Sequence, residues 1–237
     1  MKKILLLTGV FLLALVGTAC GNYNIELEKF KSEDPRVWDE DIAVFEKEDA
    51  KGKNPTSPVV FVGSSSIRFW DSLVEDMAPI PVVQRGFGGA KFNDVVYYAE
   101  RLVSVHKPSA VVLFVGTNDI SSSGTKPPEV LLASYKQFVE KVRQKQSHLP
   151  IYYIAITQSN MRWEFWSIAQ KTNQLIVDYA MQDENLYVID TSSALMGADG
   201  KPDANNYRLD RLHLNEKGYS KWTNLIKPYI LQYAAVK

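Results

Sequence analysis

Four short segments hold the side chains best able to do chemistry: Gly63-Ser64-Ser65-Ser66, Gly86-Phe87-Gly88-Gly89, Gly116-Thr117-Asn118-Asp119 and Asp210-Arg211-Leu212-His213. A serine hydroxyl becomes a nucleophile only when a base can take its proton. Of the three histidines, His106, His148 and His213, only His213 has a carboxylate at a spacing that lets one orient the other. In a helical turn Asp210 and His213 would share a face, so the carboxylate would hold one ring nitrogen and leave the other for a hydroxyl. The oxyanion made by attack on a carbonyl needs donors, and a glycine N–H in a tight turn with an asparagine amide would supply them. Singly, each segment has a plainer reading: a serine run as a helix cap, glycines for positive φ, Asn118-Asp119 as a cap, His213 as a structural residue. All four together favour nucleophilic catalysis.

Other chemistries have less support. The single cysteine, Cys20, excludes internal disulfides, a cysteine-rich zinc site and an internal thiol nucleophile. No HExxH occurs, so no metal cluster is expected. Lys91 stands where the third glycine of GxGxxG would fall, and no GxxxxGK[ST] occurs. The GxSxG elbow fails because Ile67 follows the serines. With 27 basic and 27 acidic residues there is no cationic excess for nucleic acid. The 237 residues, 46% hydrophobic and 23% charged, suit one globular core.

The elements that must position these residues follow from the apolar pattern. Residues 59–62, 81–83, 110–115, 151–156 and 186–189 are short, continuous apolar runs, as in strands buried on both faces. Helical spacing covers residues 93–105, 129–147, 166–181 and 215–233. A further helix over 34–48 opens with Asp34 as cap and Pro35 in its first turn, and 51–58 is a loop. Strand alternating with helix predicts an α/β fold with a parallel sheet and right-handed crossovers. Three of the segments then fall at C-terminal strand ends, where such sheets bind ligands, and the Asp210 segment follows the last strand at some distance.

Upstream, Lys2 and Lys3 precede an apolar run over 4–16, then Gly17-Thr18-Ala19 and Cys20. This is the layout of an export signal over 1–19, its apolar run too short for a ~30 Å hydrocarbon core. The junction resembles the lipobox of bacterial lipoproteins, which implies lipidation at Cys20 and a membrane partner through that anchor. Residues 20–33 would be the lipidated tether, reaching on the order of 20 Å, and 34–237 a single domain. The expected location is the bacterial cell envelope, with plain secretion as the alternative.

From residue 59 to about 229 the chain resembles the SGNH hydrolases, also called the GDSL family, whose four blocks appear in order. The Gly63-to-Trp70 stretch and Arg85-to-Gly89 are similar to a bacterial subgroup with GSSSIR-type and RGFGG-type blocks. The resemblance implies a three-layer α/β/α sandwich with a five-stranded parallel, flavodoxin-like sheet, and no cofactor or metal. It further implies Ser65 as nucleophile, His213 as base and Asp210 as its orienter. The implied oxyanion donors are the Ser65 and Gly89 backbone N–H groups and the Asn118 side chain. Ser64 replaces the family's Asp and Gln84 an Asn that often precedes the second block; an ungapped count from Gly63 favours Ser65 over Ser66. The expected reaction is ester hydrolysis releasing small acyl groups, acetyl included, from glycans or other envelope esters. An acyltransferase and a non-catalytic glycan-binding lipoprotein are the alternatives. Trp163, Phe165 and Trp166 with Arg162 would form an aromatic wall for a sugar, or pack inward; Arg68 and Arg85 are expected to be solvated.

Overall fold

In the computed structural model, residues 32–121 and 124–234 are described. The expected signal, Cys20 and the tether up to residue 31 lie outside them. Runs rich in β-branched and aromatic residues form β1 (Val59–Gly63), β2 (Val82–Gly86), β3 (Ala110–Phe114), β4 (Ile151–Ile154) and β5 (Leu186–Ile189). They pair in parallel in the order β2-β1-β3-β4-β5. This is the flavodoxin-like order, whose reversal between β1 and β3 opens a crevice at the C-terminal strand ends.

The helices are α1 (Asp39–Asp49), α2 (Ser65–Arg68), α3 (Leu73–Met77), α4 (Phe92–Tyr97), α5 (Ala99–Leu102), α6 (Pro128–Arg143), α7 (Trp166–Ala180), α8 (Ser192–Leu195) and α9 (Glu216–Ala234). Alternate side chains of each strand point to opposite faces. Val60, Val62, Val111, Leu113 and Tyr153 pack in one buried cluster with α1 and α4 to α7. Val59, Phe61, Val112, Phe114 and Tyr152 pack in a second with α2, α3, α8 and α9. The result is a three-layer α/β/α sandwich, and the central strands β1 and β3 are apolar along their whole length because both faces are covered.

Local departures from the sequence expectation have physical causes. The 93–105 helix is interrupted at Tyr98 (φ −92, ψ 8), whose ring is buried while its hydroxyl donates to the Pro35 carbonyl and to Asp39 at 3.0 and 2.9 Å. The 34–48 helix begins as a 3₁₀ turn over Pro35–Trp38, with the Asp34 carboxylate accepting from the Arg36 N–H. β2 runs on through polar residues to Gly86, because the Gln84 amide donates to the carbonyls of Ile67 and Trp70 at 2.8 and 2.9 Å. Arg85 is not solvated as expected: it is buried and ion-paired with Asp49.

On the second face, α9 is pinned by aromatics. Trp70 stacks on Tyr219 at 5.2 Å, while Trp222 meets Trp70 edge-on at 5.8 Å and Phe114 at 4.9 Å. The Tyr219 hydroxyl donates to the Ser66 carbonyl at 2.9 Å. These contacts tie the segment before α9, which carries His213, to the turn that carries Ser65.

Candidate active site

The turn after β1 is set by close backbone approach. Gly63 has φ +150, and a Cβ there would collide with the Phe114 carbonyl of β3. The Ser64 N–H donates to that carbonyl at 3.0 Å, and the Ser64 carbonyl accepts from the N–H groups of Ile67 and Arg68 at 2.9 and 3.1 Å. Ser65 therefore stands as the first residue of α2, half-buried above the strand end.

His213 reaches it from a loop rather than from the expected helical turn. A bridge between Tyr207 and Leu214 closes this loop, Arg211 lies at φ +58, and the Arg208 N–H donates to the His213 carbonyl at 2.7 Å. Oδ1 of Asp210 accepts from the N–H groups of Leu212 and His213 at 2.9 and 3.0 Å, an Asx-type turn. Its other oxygen, Oδ2, is 2.7 Å from His213 Nδ1, and His213 Nε2 is 2.8 Å from Ser65 Oγ. With Asp210 accepting from Nδ1–H, the Nε2 lone pair faces the serine hydroxyl. Burial alone would raise the Asp210 pKa; the hydrogen bonds from the His213 ring and from the two backbone N–H groups outweigh it and hold the carboxyl below its ordinary value.

Two residues outside the four chemistry-bearing segments brace this chain. Phe69 meets the His213 ring edge-on at 4.9 Å. The Arg208 guanidinium lies over Phe69 at 4.9 Å and donates to the carbonyls of Leu214 and Phe69, both at 3.1 Å.

Asn118 and Ser65 line one small cavity with Thr157, Ser159, Leu212 and His213. Its volume of about 20 Å³ holds one small molecule the size of water. Gly89, at φ +73 in the turn after β2, is not in that lining; it is linked through its neighbour, because Asn118 Nδ2 donates to the Ala90 carbonyl at 3.0 Å. Asp119 caps not the helix that follows it but α4, accepting from the Phe92 N–H at 3.0 Å and from Lys126 at 3.1 Å. Glu33 pairs with both Lys126 and Lys91. Asp94 accepts from the Lys91 N–H at 2.8 Å; burial, with a smaller contribution from Asp119, pushes it up to about 6. Burial also raises Asp119, against the pull of Lys126 and the Phe92 N–H.

The aromatic segment serves packing first. Trp163 stacks on Trp166 at 6.4 Å, and Trp166 and Ile168 lie against the core. Arg162 turns inward to the carbonyl of Thr117 and the side chain of Asn118. Arg68 is exposed, with its guanidinium 5.5 Å from the Phe69 ring centroid. Among the described residues, no group of three His, Cys, Asp or Glu could hold a metal ion.

Residues 52–221 match the model of the GDSL-like lipase/acylhydrolase family. No curated protein matches the sequence. Among solved structures, a GDSL-like lipase from Bacteroides thetaiotaomicron is similar at 19% identity and TM-score 0.68, over 81% of this chain and 98% of that one. A carbohydrate esterase family 3 protein from Talaromyces cellulolyticus aligns at 17% identity and TM-score 0.61, over 77% and 100%. A lipase/acylhydrolase from Enterococcus faecalis aligns at 19% identity and TM-score 0.56, over 74% and 95%. At these identities the likeness concerns the fold.

Proposed function

The chain belongs to the GDSL-like lipase/acylhydrolase family, which makes it an ester-hydrolysing enzyme, and from that premise we propose that Ser65, His213 and Asp210 carry out the reaction. One observation carries this assignment: the continuous hydrogen-bonded chain from Asp210 Oδ2 through both His213 nitrogens to Ser65 Oγ, at 2.7 and 2.8 Å. His213 takes the Ser65 proton as Oγ attacks the ester carbonyl; the tetrahedral oxyanion is held by Asn118 and by the backbone N–H groups of Gly89 and Ser65. Collapse of the intermediate passes that proton to the departing alcohol, and water then repeats the sequence to release the acid.

The acyl group in this reading is small, acetyl being the leading choice. The alcohol side is a glycan or another envelope ester, in keeping with the carbohydrate esterase among the structural neighbours. The setting is outside the cytoplasm, with the chain anchored through Cys20, as the N-terminal Lys2-Lys3, apolar run and Cys20 suggest.

Hydrolysis of p-nitrophenyl acetate tests the assignment. Ser65→Ala should lower kcat by at least about a thousandfold, and Ser66→Ala by far less. A Ser65→Ala protein that turns over at the wild-type rate overturns it.

A further inference from the structure

Asn118 poses a problem of orientation. A carboxamide is nearly symmetric in shape, but only its nitrogen end can donate to an oxyanion. If the group rotated by half a turn, it would present an oxygen to the developing negative charge and raise the barrier it should lower. Something must therefore hold the oxygen end away from the reaction.

Arg162 occupies that place. It opens the 3₁₀ turn before α7, with its own N–H donating to the carbonyl and the hydroxyl of Ser159, each at 3.2 Å. Its guanidinium reaches back to the turn after β3, donating from Nη1 to the Thr117 carbonyl at 2.7 Å and from Nη2 to Asn118 Oδ1 at 3.3 Å. A guanidinium has donors only, so it can donate only to the oxygen end of the amide. At the other end, the Ala90 carbonyl accepts only the nitrogen end, at 3.0 Å. One N–H of Asn118 is thereby used on Ala90, next to Gly89, which leaves the second for the cavity that Asn118 and Ser65 both line. Burial lowers the Arg162 pKa only to about 10, so the group is cationic at neutral pH.

The geometry points to Arg162 as the positioning residue of the oxyanion hole: by binding Thr117 O and Asn118 Oδ1 together, it fixes the Asn118 amide with its nitrogen toward the reaction centre. This rests on the hydrolase reading above and adds to it a residue that acts on the transition state only through Asn118. The fixed cation also polarises the amide, strengthening the N–H as a donor in a low-dielectric setting.

A double-mutant cycle on p-nitrophenyl acetate separates this role from packing or direct substrate contact. Arg162→Met is expected to lower kcat by about 10- to 100-fold, with KM within about twofold of wild type, as for loss of one oriented donor. In the Asn118→Ala background the same substitution should change kcat by less than about twofold, because the group it orients is gone. Arg162→Lys keeps the charge but loses the planar fork that spans both acceptors; it should show the same pattern and serves if Arg162→Met does not fold. Losses that multiply in the double variant, or a rise in KM with kcat unchanged, overturn the assignment to Asn118. A wild-type protein inert to this ester, and to others of longer acyl chain, would instead overturn the hydrolase reading and this proposal with it.

Discussion

Asp210 does two jobs with two oxygens. Oδ1 shapes the loop by accepting two backbone N–H groups, and Oδ2 sets the imidazole. Asp210→Asn should preserve much of the loop while allowing the amide to donate to Nδ1, which favours the wrong tautomer at Nε2. The expected result is a fall in kcat of about 10² to 10⁴ with little change in KM, measured on p-nitrophenyl acetate. Unchanged kcat would remove Asp210 from the proposed chain of residues. At this scale residue types were legible, since a serine run, a lone carboxylate–imidazole pair and an asparagine after a glycine restrict the chemistry. Their supports were not. Arg208 works through backbone carbonyls and an aromatic face, and Arg85 is buried against Asp49, neither of which leaves a spacing signal.

The strands and the long helices were legible because each is buried against a continuous surface, which imposes a pattern on every residue. Short elements escaped: α2, α3 and α8 have four or five residues and rest on capping and tertiary contacts. The break at Tyr98 answers to a hydrogen bond with Pro35 and Asp39, more than fifty positions away in the chain. The start of α4 offers a test at this scale. Asp94 is raised from 3.8 to about 6, so the native state binds its proton more tightly than the unfolded chain. Its ionisation therefore costs stability, a cost that grows between those two values as pH rises and is full above the higher one. Asp94→Asn keeps an acceptor for the Lys91 N–H and removes the charge. It should stabilise the protein by roughly 1 to 3 kcal/mol at pH 7.5 and much less at pH 4, followed by urea unfolding. An advantage independent of pH would mean the carboxyl titrates normally.

For the molecule as a whole, α9 packs in the second core cluster and borders the proposed catalytic loop, so stability and turnover should be linked there. Trp222 is fully buried between Phe114 and Trp70, and Trp222→Ala should cost about 3 to 5 kcal/mol in denaturant unfolding. Because the helix also anchors the His213 loop, kcat should fall in the same variant at temperatures where it remains folded. The proposed anchoring has its own check: Cys20→Ser should shift the protein from the membrane to the soluble fraction without altering turnover of a soluble ester.

Ser65 and His213 lie 148 positions apart. In the proposed roles, a ribosome-bound chain would have its nucleophile long before its base, and a form in which the two have not met should be chemically silent. On that reading reactivity should begin only when the tail docks, and a protease that removes the last helix, whose Tyr219 ties the His213 segment to Ser66, should lower turnover at one cut.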